Sequence, residues 1–192
     1  MTRIVGGLAR GVRLKVPDAG TRPTSDRARE AVFSSLEARR GPWAGARVLD
    51  LYAGSGACGL EAASRGAAEV DLVESSRAAA DVVSANVGAV VAATGADSVR
   101  VHQRTVRRWL AASAGERAPY DVVFCDPPYS TSDHEVREVL RALVAGQVLT
   151  PAGVVVLERS SRDAPWRFES PLRAVWDRGY GEAHLWVAEA GT

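Results

Sequence analysis

The sequence predicts an α/β fold: a mostly parallel, seven-stranded sheet with helices on both faces, a closing antiparallel hairpin, and a small N-terminal β-hairpin extension. Three observations predict it. From Arg47 onward, short apolar runs alternate with longer helical stretches, the pattern of a parallel sheet covered by helices. Near the C-terminus that rhythm stops: residues 172–176 and 183–187 are separated by Gly179-Tyr180-Gly181, which leaves no room for a helix. At the other end, residues 3–16 read as two short strands around a turn, with Val12, Leu14 and Val16 on one face and Arg13 and Lys15 on the other.

The elements follow in order. Pro17 and Gly20 end the hairpin, and Thr21 to Ser25 form a loop in which Ser25 is a candidate N-cap. Asp26 suits the first turn of a helix running to about Arg40, with Ala28, Val32, Phe33 and Leu36 inward. Gly41 and Pro42 stop it. Strands are expected at 48–51, 70–74, 99–102, 120–125 and 154–158. Helices are expected from the glycine turn to Ser64, then at 77–94, 106–112 and 135–145.

At 192 residues, with 46% hydrophobic and 24% charged residues, the chain reads as a globular protein of about one domain. No apolar run approaches the roughly 20 residues that span a bilayer, and the start of the chain has no signal-peptide apolar core. A cytoplasmic monomer without membrane contact is expected. Cys58 and Cys125 have no Cys-x-x-Cys partner and no His at ligand spacing. They are expected to be buried, reduced thiols, and no metal site is expected. Net charge is +1, but it is unevenly spread. Residues 1–40 hold nine Arg/Lys and four acids, whereas the remainder holds 15 and 19. That asymmetry points to a polyanion contact at one end.

Two motifs carry chemistry. Asp50-Leu51-Tyr52-Ala53-Gly54-Ser55-Gly56-Ala57-Cys58-Gly59 matches G-x-G-x-x-G after a strand, and Glu74 lies ~20 residues on. Glycines let a ligand approach the backbone. An acid at the next strand end binds ribose hydroxyls, and the helix N-terminus favours an anionic group. Alone, the pattern suits a dinucleotide. Asp50, before the glycines, can pair with an ammonium, which NAD lacks and S-adenosylmethionine has. The second motif, Asp126-Pro127-Pro128-Tyr129, follows the fourth strand of the alternating series. Its prolines fix the backbone and remove two N–H donors. Carbonyls and a carboxylate remain as acceptors, with a ring beside them. That chemistry grips a planar NH₂ such as that of a nucleobase.

Together these motifs resemble a class I S-adenosylmethionine-dependent methyltransferase, a Rossmann-like fold, acting on amino groups. Arg3-Ile4-Val5-Gly6-Gly7, Arg10-Gly11 and Arg22-Pro23-Thr24-Ser25-Asp26-Arg27-Ala28-Arg29-Glu30 narrow the resemblance to the RsmD family. It implies methylation of a hairpin-loop guanine N2 in 16S rRNA, within the small ribosomal subunit or a late assembly intermediate. It also implies an RNA-contacting extension over residues 1–40 and a methyltransferase domain over 41–192. By this resemblance Asp50, Tyr52, Gly54, Gly56, Glu74 and Ser75 hold the cofactor. Thr105, with the Val106 backbone beside it, stands where an Asp or Asn often lies against the adenine. Asp126, Pro127, Pro128 and Tyr129 form the catalytic clamp. RNA contact is expected from Arg3, Arg10, Arg22, Thr24, Arg27 and Arg29, since Arg both stacks on bases and binds phosphates. The competing expectations are an amino-methyltransferase for DNA adenine N6 or protein glutamine, an NAD-dependent oxidoreductase, and an assembly factor that keeps the fold.

Overall fold

The structure, a computed structural model, describes residues 2–17, 25–113 and 118–191. Strands β1 (Thr2–Arg3) and β2 (Arg13–Leu14) pair antiparallel, and α1 (Asp26–Arg40) follows. The alternating series is β3 (Arg47–Leu51), α2 (Ala57–Ser64), β4 (Glu69–Glu74), α3 (Arg77–Thr94), β5 (Val99–Gln103), α4 (Val106–Ser113), β6 (Tyr120–Cys125), α5 (Asp133–Ala145) and β7 (Leu149–Ser160). The hairpin β8 (Leu172–Tyr180) and β9 (Ala183–Ala190) closes the chain.

The seven strands of the main sheet lie in the order β5-β4-β3-β6-β7-β9-β8. β3 to β7 run parallel, and β9 is antiparallel to both its neighbours. The chain builds outward from β3 through β4 to β5, then returns to lay β6 on the other side of β3. That reversal opens a crevice beyond the C-terminal ends of β3 and β6, where open α/β sheets bind ligands. Both motifs emerge there.

Side chains alternate across the sheet. Val48, Val122, Phe124, Val154 and Val156 face one core with α1, α2 and α3, and Leu49, Leu51, Val123, Val155 and Leu157 face the other with α4 and α5. The N-terminal segment shares the first of these cores, since Ile4, Ala9, Leu14, Ala28, Val32, Phe33 and Leu36 are buried in it. The Ser25 hydroxyl accepts from Ala28 N–H and caps α1 as expected.

Polar contacts fix the extension onto α2 and α3. Val5 and Gly6 N–H groups each donate to the Glu61 carboxylate at 2.8 Å. Ala9 N–H donates to the Ser64 hydroxyl. On α3, the Asn86 side chain accepts from Lys15 N–H and donates to the Lys15 and Ser55 carbonyls. One amide thus ties the hairpin to the glycine turn.

Several elements differ from the sequence expectation: β1 and β2 are only two residues each, and three further differences have a local cause. β7 is 12 residues long rather than covering only 154–158, because a register shift between Tyr120 and Val122 admits Pro151 without breaking the strand. The closing turn lies at Gly181-Glu182, with Gly181 at φ +65°, so Tyr180 still pairs with Ala183. α5 starts two residues earlier, at Asp133, because Ser132 and Glu135 form a reciprocal capping box.

Candidate active site

The glycine turn takes its shape from backbone conformations that side chains resist. Tyr52 follows β3 at φ +61°, a region that costs a bulky residue about 1–3 kcal/mol. Gly54 and Gly56 follow at φ +57° and +76°. Gly59 has another purpose: a Cβ there would collide with Leu72 Cδ2, so its absence lets α2 lie against the sheet. The turn aims the α2 N-terminus at the crevice, where its first N–H groups have no intrahelical partner.

Asp50 lies beneath this turn at 3% exposure, and its Oδ2 accepts from Gly59 N–H at 2.8 Å. Burial pushes its carboxyl up to about 7, against the Gly59 hydrogen bond, with the Glu74 charge adding to the rise. Glu74 ends β4. It accepts from Gly54 N–H at 3.0 Å and from Ser76 N–H at 2.7 Å, and the neighbouring Ser75 is exposed. Thr105 is exposed, and its hydroxyl accepts from Arg108 N–H at 3.4 Å, so it caps α4; Val106 behind it is buried.

Asp126 leaves β6 directly beside the end of β3, and its N–H reaches the Leu51 carbonyl at 3.4 Å. Pro127 is buried, whereas Pro128 and Tyr129 are exposed, Tyr129 at 52%. The Pro128 carbonyl accepts from Thr131 N–H and closes the loop. Arg159, buried on β7, donates to Asp133 at 3.1 Å and so holds the far end of that loop against the sheet.

Sequence reasoning missed Glu158. β6 and β7 pair in parallel with Cys125 opposite Leu157, so the next positions are Asp126 and Glu158. Glu158 is only 4% exposed. By the alternation of the strands, Asp50, Asp126 and Glu158 project from one face of three adjacent strand ends. Burial first, then the charges of Glu158 and Asp50, push the Asp126 carboxyl well above the ordinary range. Burial likewise raises the Cys58 thiol, with Asp50, Glu158 and Asp126 contributing. A strand-end acid carries no motif; the available signal was its register opposite the Asp-Pro-Pro-Tyr corner.

The expected RNA-contacting residues divide. Arg3, Arg10 and Arg27 are exposed and line one depression of about 350 Å³ with Asp26 and Glu30. Arg22 and Thr24 lie outside the described residues. Arg29 is a correction: it is 1% exposed and cannot lie on an RNA-facing surface in this arrangement. Its guanidinium donates to the Thr2 hydroxyl, the Arg3 carbonyl and Asp26, and its Nε lies 3.6 Å from buried Glu61. It falls on the inward stripe of α1, one turn before Phe33, which is why it points into the core rather than outward.

A family model described as "Conserved hypothetical protein 95" matches residues 2–189. Ribosomal RNA small subunit methyltransferase D of Escherichia coli K12 is 41% identical over 128 residues, 66% of this chain and 60% of that relative's length. The putative rRNA methyltransferase YlbH of Bacillus subtilis is 32% identical over 158 residues, 81% of each chain. Among solved structures, the putative methyltransferase yhhF from Escherichia coli superposes with a TM-score of 0.83 at 31% identity, covering 98% of this chain and 97% of that one. A sheet that reverses at the crevice, two motifs that meet there and a match that runs from the hairpin to the last strand all point one way, and the chain belongs to the RsmD family.

Proposed function

We propose that this protein transfers a methyl group from S-adenosylmethionine to the exocyclic N2 of a hairpin-loop guanine in 16S rRNA, within the small ribosomal subunit or a late assembly intermediate. The observation that carries this reading is the placing of Asp50, Asp126 and Glu158 on one face of adjacent strand ends, beside the glycine turn. A carboxylate-lined crevice suits a cationic ligand and disfavours a pyrophosphate. It therefore favours an adenosyl sulfonium over NAD, which the glycine pattern alone does not.

The residues present fit that cofactor. The α2 N-terminus offers N–H groups to a carboxylate, Asp50 offers a counter-charge to an ammonium, and Glu74, already fixed by two backbone N–H groups, offers oxygens to ribose hydroxyls. When bound, the cofactor supplies an electrophilic methyl group on a cationic sulfur. The chain's own residues do the rest. Guanine N2 is a poor nucleophile because its lone pair is delocalised into the ring. Asp126 and the Pro127 carbonyl accept its two N–H bonds and draw the nitrogen toward tetrahedral geometry. Exposed Tyr129 stacks on the base, which must leave its neighbours first. Asp126, with its raised affinity for a proton, takes the one that N2 releases. Much of the acceleration comes from holding the amine in line with the methyl.

The relatives named rRNA methyltransferases favour RNA over DNA adenine or protein glutamine as the amine. The test is mass mapping of 16S rRNA from cells with the protein, without it, and with Asp126→Ala. One N2-methylguanine is expected to vanish in both altered strains, while purified Asp126→Ala still binds the cofactor and loses about 10³-fold or more in rate. An unchanged modification map, or near-normal turnover by Asp126→Ala, overturns the reading.

A further inference from the structure

The arginines of this protein are not used alike. On the β7–β9 side most are neutralised in place, while Arg178 lies over the Tyr180 ring. Arg137 and Arg141 pair with Glu169, Arg159 with Asp133 and Asp163, Arg162 with Glu182, and Arg173 with Glu189. Around the ends of β4 and β5 the opposite holds. Arg77, Arg104, Arg107 and Arg108 are exposed, and among the described residues none of their guanidinium groups makes an ion pair or hydrogen bond.

All four lie on the rim of the crevice. Arg77 is the first residue of α3, just past β4. Arg104 follows β5, and its N–H reaches the Glu74 carbonyl at 3.0 Å. Arg107 and Arg108 sit in the first turn of α4, where buried Val106, Trp109 and Leu110 turn them outward. The Arg107 charge is felt at Tyr52, just after β3, and at Glu135, which follows the Asp-Pro-Pro-Tyr loop. Cations in a first turn oppose the helix dipole. The stretch 99–110 holds four arginines and no Asp or Glu, so no carboxylate of its own relieves that repulsion. A local preference overridden without compensation marks a surface kept for a ligand.

We propose that this rim is a second RNA-binding surface, taking backbone phosphates of the strand that flanks the target base. Its α4 part, Arg107 and Arg108, lies across the sheet from Arg3, Arg10 and Arg27: the N-terminal segment shares its core with α2 and α3, whereas α4 belongs to the other face. The RNA is therefore held from both sides, with Asp126 between. The inference rests on the functional reading above for the identity of its ligand.

The experiment measures binding of small ribosomal subunits from cells lacking the protein, over a range of salt, for wild type and Arg107→Ala/Arg108→Ala. Neutralising two phosphate contacts is expected to lower the log–log salt slope by about 1–2 and weaken binding about tenfold at physiological salt. Affinity for S-adenosylhomocysteine and the melting temperature stay unchanged. Arg162→Ala/Arg173→Ala, on the neutralised side, keeps the wild-type slope. An unaltered slope and affinity in the Arg107/Arg108 variant overturns the proposal. So does loss of S-adenosylhomocysteine affinity with the slope intact, which would give the rim to the cofactor. Should the alanine variant melt early, Arg107→Gln/Arg108→Gln is held to the same slope criterion. Binding is read without turnover, so a wild type that binds subunits through this rim but methylates nothing sinks the functional reading and leaves the surface standing.

Discussion

Arg29 with Asp26 and Glu61, and the trio Asp50, Asp126 and Glu158, are built from similar residue types, yet Asp26 in the first moves in the opposite direction from Asp50 and Asp126 in the second. In the first cluster, partial burial pulls Asp26 upward, but the Thr2 hydroxyl and the Arg29 guanidinium outweigh it and hold the carboxyl below its ordinary range. In the second, burial and neighbouring negative charge push Asp50 and Asp126 up. The first cluster joins the N-terminal segment to α2 through partners within the chain. The second lies at the crevice, where the proposed function places a cationic ligand. Raised and lowered carboxyls thus distinguish a site from a joint.

The largest effect should come from breaking the joint. Arg29→Ala leaves Glu61, whose side chain is fully buried, without that guanidinium. Glu61 keeps Arg65 at 2.8 Å and the Val5 and Gly6 N–H groups, so the loss should fall at or below the low end of the roughly 3–5 kcal/mol that removing one partner of a buried pair costs. Urea unfolding should show that loss, and Arg29→Met/Glu61→Gln should recover part of it. If Arg29→Ala melts normally but releases RNA, Arg29 is a binding residue after all and the two clusters are not different in kind.

Arg29 also shows what the sequence could convey. The apolar stripe of α1 was readable because Ala28, Val32, Phe33 and Leu36 recur at helical spacing, and Arg29 lies on that stripe. A basic residue in a basic segment masked the signal, since its partner Glu61 is 32 positions away in α2. The glycine turn and the Asp-Pro-Pro-Tyr corner were legible because each is local: one stretch of chain holds both the backbone geometry and the chemistry. Glu158 was not, because its meaning comes from strand register. The extent of β7 was hidden for a related reason, as Pro151 reads as a breaker until the bulge opposite it is known.

A smaller effect tests the site side of the comparison. Asp50 must be ionised to hold an ammonium, and its carboxyl titrates at about 7 in the free protein. Affinity for S-adenosylhomocysteine should therefore climb up to tenfold per pH unit below about 7 and level off above it. Calorimetry in buffers of different ionisation heat should detect a released proton near pH 6. The stability contribution has the reverse sign. Because the native state holds this proton more tightly than the unfolded chain, stability from Asp50 falls as pH rises from 3.8 toward about 7. Asp50→Asn should flatten both dependences. A wild-type affinity that is level from pH 5.5 to 8 would make Asp50 a structural carboxylate like Asp26.

The subtlest prediction concerns Glu158, which acts through Asp126 rather than on the base. After burial, the Glu158 charge is the next cause of the raised Asp126 carboxyl. Glu158→Gln removes that charge and keeps the shape, so Asp126 should ionise at lower pH. The acid limb of kcat then moves down. The plateau above it falls a few-fold, because a less basic carboxylate takes the N2 proton less readily. The KM for the cofactor should not change, since the glycine turn and Glu74 are untouched. A purely structural role would instead lower kcat and melting temperature together and leave the limb in place. That outcome would reduce the trio to Asp50 and Asp126 and return Glu158 to the core.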